Sequence, residues 1–167
     1  EGHTEGCFRG KGWDVMDRIK KHGPIIASVI LTAVFIFMGF LPKFTGANES
    51  IYMFTMLGIK TGLPFEPLGR YAVGAAEILT ILLLWLPGKR HLGGALGALV
   101  LIGAIILHVS GIIGIDTQFP VEGAVPPFDA ATPSEGDGGT LFIIALISFA
   151  LCMYTFLSGR PKLVAES

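Results

Sequence analysis

Long apolar stretches broken by short polar runs set the pattern of this chain. They cover residues 23–42, 68–88, 91–115 and 139–159. Each is close to the ~20 residues that cross ~30 Å of hydrocarbon at 1.5 Å per residue. A soluble core helix rarely runs so far without a polar face. The pattern therefore predicts an all-α fold, a bundle of four transmembrane helices over residues 23–160, with an N-terminal tail (1–22) and a C-terminal tail (161–167).

The connections differ in character. After the first span, "KFTGANESIYMFTMLGIKTGLPFEP" predicts a short interfacial helix over Ile51–Leu57, capped by Asn48 or Ser50 and broken by Gly58 and Gly62. Pro67 suits the first turn of the second span. The run "PGKRHLGG" is a tight hairpin, which makes spans two and three antiparallel neighbours. The third connection, "DTQFPVEGAVPPFDAATPSEGDGG", is rich in proline and glycine and predicts a long irregular loop of turn chemistry. Within the N-terminal tail, "WDVMDRIKKH" reads either as a short helix on the membrane surface or as a mobile segment.

Composition agrees with the spans. At 51% hydrophobic and 15% charged residues, with a mean hydropathy of +0.67, the chain lacks the polar surface of a soluble domain. A net charge of −1 offers no basic excess to attract nucleic acid. Two cysteines, Cys7 and Cys152, make neither a disulfide framework nor a thiol-exchange pair. The histidines are too scattered for a metal or haem site, and no phosphate loop, dinucleotide fingerprint or nucleophile elbow is present. Lysine and arginine crowd the N-terminal tail, the second connection (Lys89, Arg90) and the C-terminal tail (Arg160, Lys162), whereas the third connection has none. The positive-inside rule then puts both termini in the cytoplasm, with the interfacial helix and the long loop outside. Lys43, Lys60 and Arg70 pull the other way but are outnumbered.

One acid breaks the second span. Between Arg70 and Lys89 the only charged residue is Glu77, ten residues from either Pro67 or Pro87. That is ~15 Å of helix on each side, too far for its short side chain to reach water. Glu77 needs a partner. Arg70 lies two turns away on the same helical face, His108 sits in the outward half of the third span, and Lys43 at the outer end of the first can reach inward. Small and polar residues fall on one stripe of each span: Ser28, Thr32, Phe35, Gly39 and Lys43; Arg70, Gly74, Glu77 and Thr80; Gly93 or Gly94, Gly97, Leu101, Ala104 and His108; Ala145, Ser148, Cys152 and Thr155. Such stripes let membrane helices approach closely. Glu77, His108, Lys43 and Arg70 are accordingly the candidate polar cluster. Two readings stay open: a set of pairs that fixes helix register, or a site that hydrogen-bonds or protonates a quinone from a lipid-accessible cleft.

The segments "FIFMGFLPKF", "MFTMLGI" and "YAVGAAEILTILLLWLPGKRHLGG" together resemble the DoxX family of small four-helix membrane proteins. Gly39 and Lys43 match its closing of the first helix, Phe54, Leu57 and Gly58 its aromatic loop, and Gly74, Glu77 and Ile78-Leu79 the glycine and acid of its second helix. The resemblance runs from about Arg18 to Val109; the long acidic Pro/Gly loop departs from it. It implies a protein of a bacterial or archaeal cytoplasmic membrane, some relatives being subunits of thiosulfate:quinone oxidoreductase or of other membrane redox assemblies. The expected ligand is a quinone or a bound lipid. The expected partners are membrane lipid and other membrane-complex subunits or a second copy of the chain. A structural or assembly subunit without chemistry of its own is the alternative. A small transporter fits least, for want of a broken helix.

Overall fold

The structure, a computed structural model, describes residues 22–159. The surface helix considered for the N-terminal tail, Cys7, and the cations Arg160 and Lys162 lie outside the described residues.

Among the described residues, four helices are long and apolar enough to cross a membrane: α1 (His22–Thr45), α3 (Leu68–Trp85), α4 (Arg90–Val109) and α5 (Thr140–Ser158). The shorter α2 (Asn48–Thr61) follows α1. Two three-residue strands, β1 (Gln118–Pro120) and β2 (Ser134–Gly136), lie between α4 and α5. The chain thus presents two ends: a hairpin end, where α3 turns into α4, and a loop end, where α2 and the β-strands sit.

The buried faces of the helices are the small and polar stripes. Arg70, Gly74, Glu77 and Thr80 are buried on α3, Gly93, Gly94, Gly97, Leu101 and His108 on α4, and Ala145, Ser148, Cys152 and Thr155 on α5. Side chains such as Leu79, Leu82, Val109 and Ile147 stay exposed on the outside. This inversion, with polar atoms inside and bulky hydrocarbon outside, suits lipid as the solvent.

Glycine sets how close the helices come. A Cβ on Gly93 would lie 2.6 Å from the backbone nitrogen of Leu84, and one on Gly94 2.6 Å from that of Phe156. At the centre, Gly97 faces Cys152, Thr80 and Phe35. The hydroxyls along the stripes are mostly satisfied within their own helices. Ser28 donates to the Pro24 carbonyl, Thr80 to Ala76 and Thr155 to Leu151. Between helices, Trp85 Nε1 donates to Thr32 Oγ1 at 2.9 Å.

Several boundaries differ from those the pattern predicts. The third spanning helix ends at Val109 rather than 115, because Gly111 (φ 77°) and Gly114 (φ 88°) turn the chain through left-handed conformations. The interfacial helix is longer, Asn48–Thr61, with Ala47 as its N-cap; Asn48 instead uses its side-chain amide to donate to the Ala124 carbonyl. Pro67 stands just before α3, at the N-cap. The long loop is not wholly irregular. β1 and β2 pair antiparallel, Phe119 opposite Glu135, and Phe128 is buried with its ring 5.5 Å from that of Tyr52 on α2.

Candidate functional site

The site begins with a distortion in α1. Residues Phe35–Phe40 form a π-helical turn, and Gly39 inside it has non-helical dihedrals (φ −96°, ψ −105°). Such turns widen a helix and displace its carbonyls. Here the Gly39 carbonyl accepts a hydrogen bond from Lys43 Nζ at 3.1 Å. Lys43 is thereby folded back along its own helix, pointing inward from the loop end.

On the facing wall, α3 presents Glu77. Lys43 Nζ donates to Glu77 Oε1 at 3.0 Å, an ion pair whose side chains are 13% and 7% exposed. Glycines on both helices make the contact possible. A Cβ on Gly39 would lie 3.0 Å from Glu77 Cδ, and one on Gly74 would meet Phe44 at 2.7 Å. The lone carboxylate of the second span therefore finds its partner on the first. Two groups are left over. An ammonium has three donors, and Lys43 uses two of them on Gly39 and Glu77. Glu77 Oε2 is buried, with no hydrogen-bond partner among the described residues.

Arg70 does not join Glu77, although it lies on the same face. Its guanidinium is held by Glu66 one turn away, with the closest contacts at 2.8 Å, and stacks 4.5 Å above the centre of the Tyr71 ring. Its Nη1 donates to the Lys43 carbonyl. A partner at i−4 that sits near the helix mouth out-competes one two turns deeper. Arg70 therefore fixes the end of α1 against α3 and reaches Glu77 only through Lys43.

His108 also stands apart from the ion pair, but it lines the same cavity. Its Nδ1 lies 2.7 Å from the Gly114 carbonyl and 3.3 Å from Thr117 Oγ1. A carbonyl only accepts, so Nδ1 carries a proton and donates to it, leaving Nε2 as the other ring nitrogen. The ring packs 5.6 Å from Phe142.

The cavity is the feature that the sequence does not reveal. It occupies the loop-end half of the bundle, with a volume of about 720 Å³. Its walls come from all four long helices, from Phe54 and Leu57 of α2, and from Phe65 and Ile113 of the loops. They are overwhelmingly apolar, with Lys43, Glu77, His108 and Ser148 as the polar exceptions. A large apolar chamber with a few convergent polar groups is the usual form of a small-molecule site. Of the four residues the sequence singles out, the structure brings Lys43, Glu77 and His108 to one chamber and leaves Arg70 behind its wall.

No protein-family model, curated protein or solved structure matches the chain.

Proposed function

We propose that this chain is a DoxX-like protein of a bacterial or archaeal cytoplasmic membrane, with both termini inside, that serves as a quinone-interacting accessory subunit of a membrane redox complex. The observation that carries the reading is the buried Lys43–Glu77 pair on the wall of an apolar chamber of about 720 Å³. A flat, lipid-soluble ring with carbonyl oxygens suits that combination. The remaining Lys43 N–H donates to one carbonyl oxygen, as oxyanion-stabilising groups do. Glu77 and His108 Nε2 take up or return protons as the ring changes redox state. Electrons pass between the ring and the partner's redox group, while this chain holds and orients the ring.

The test is purification from native membranes in mild detergent, followed by native mass spectrometry. A quinone mass on the wild-type chain, lost in a stably folded Glu77→Gln variant, together with copurifying subunits, is the expected outcome. Recovery of the chain alone, with neither quinone nor partner, overturns the reading.

A second reading, a structural or assembly subunit, draws on one observation of its own: Arg70 ties Glu66 and the Lys43 carbonyl into a brace between α1 and α3. If the ionic groups serve packing alone, Glu77→Gln shifts the melting temperature and leaves respiratory turnover unchanged.

A further inference from the structure

Where water would approach, at the loop end, α2 contributes Phe54 and Leu57 to the chamber wall. At the loop end, α2 is held under the loops by Asn48 to the Ala124 carbonyl (3.0 Å), by Lys60 to the Ile112 carbonyl (2.7 Å) and by the Tyr52–Phe128 contact. Phe54 and Leu57 are buried beneath it. At the hairpin end, the contacts of Gly93 with Leu84 and of Gly97 with Thr80 bring α3 and α4 together.

Toward the loop end the chamber wall comes to the surface beside the same two helices. Five residues both line the chamber and are exposed at the surface, and four of them lie on α3 and α4: Ala72, Leu99, Gly103 and Ile106; the fifth is Met38 of α1. Leu99 is 66% and Ile106 58% exposed, although both form part of the wall. Gly103, between them on the helix, is surrounded by empty space: a Cβ built there meets nothing within 4 Å. A glycine at the mouth of a gap, where neither packing nor backbone geometry calls for one, is an open sill.

We infer that the chamber loads sideways from the bilayer, through a slot between α3 and α4 with Gly103 as its sill. The occupant is a single-tailed amphiphile whose ring lies against Lys43 and Glu77 while its isoprenoid or alkyl tail runs out through the slot. This rests on the quinone reading above and adds the direction of access and the tail. An apolar tail left in the slot keeps contact with lipid and fills a lining made of Ala72, Leu99 and Ile106. A water-soluble head without a tail leaves that lining unfilled.

The test replaces Gly103 by Phe, whose Cβ meets nothing within 4 Å, and compares two probes in nanodiscs: a decyl-tailed benzoquinone and its tail-less methyl homologue. Wild type binds the tailed probe more tightly. Gly103→Phe, with unchanged melting temperature, weakens the tailed probe about tenfold or more, the loss expected when roughly two buried methylenes are displaced, and leaves the tail-less one as it was. Equal binding of the tailed probe by both proteins overturns the lateral slot, as does an equal loss of both probes. A wild type that binds neither probe overturns the quinone reading itself and this inference with it. If Gly103→Phe fails to fold, Gly103→Leu replaces it under the same criteria.

Discussion

At the scale of single residues, the Lys43–Glu77 pair decides whether the bundle interior is a brace or a site. Removing one partner leaves the other charge buried, which costs about 3–5 kcal/mol, whereas replacing both by apolar groups of similar volume is often neutral. Lys43→Met alone is thus expected to lower the unfolding midpoint sharply, and Lys43→Met combined with Glu77→Leu to recover most of the loss. Thermal unfolding in a fixed detergent reads both. The double variant is then the folded background in which ligand retention can be compared with wild type. The sequence names Lys43 as one of three candidate partners for Glu77, with Arg70 and His108, because depth and reach are simple quantities: a carboxylate ten residues from either end of its span cannot escape, and a lysine at a helix mouth can bend inward. Arg70 pairs elsewhere for a reason equally visible in the sequence. Glu66 precedes it by one turn, and the local partner wins over the deeper one. Gly39 falls on the small-residue stripe of the first span, but its π-turn is not legible, since a widened turn in an apolar run leaves no periodic signature.

Among the elements, the start of α5 depends on one aspartate that the sequence presents only as turn chemistry. Asp137 Oδ1 accepts from the backbone nitrogens of Thr117 and Gly139, and Oδ2 from that of Leu141. It stands two residues before the N-cap, Gly139, accepts from the first turn of α5 and pins the strand segment to it at the same time. Its negative charge sits at the favourable end of the helix dipole, worth about 0.3–1 kcal/mol. Asp137→Ala is expected to raise amide hydrogen exchange at Gly139 and Leu141 and in the β1–β2 pair, while α3 and α4 keep their protection. Loss of protection spread evenly over all helices would show that the carboxylate has no local role. The pattern "GDGGT" before an apolar run contains this signal, an Asx residue ahead of the helix, but two glycines blur which residue caps. By contrast, the spans were plain in hydropathy alone, and so were their inward faces, because small and polar residues recur at helical spacing on each.

At the scale of the whole molecule, the two ends carry different chemistry, and that difference makes crossing testable. The hairpin end offers Lys89 and Arg90, while the loop end carries the long acidic connection with Val125 72% exposed near its tip. Four consecutive spans place these two points on opposite sides of any membrane they cross. Cysteine can be introduced at each in a Cys7→Ser background, since Cys152 is fully buried and inert to bulky reagents. A membrane-impermeant maleimide added to intact cells is expected to label Val125→Cys and to miss Lys89→Cys until the cells are permeabilised. The reverse pattern would keep the four crossings and invert the orientation that the basic residues favour. Labelling of both positions from one side would remove the membrane bundle, and with it the reason for a buried ion pair at the end of a lipid-facing slot. The outcome bears directly on the chamber: with the acidic loop outside, Lys43 and His108 lie in the outer half of the bilayer and Glu77 at its middle, so a quinone bound as proposed would release its protons by the shorter path to the outer face.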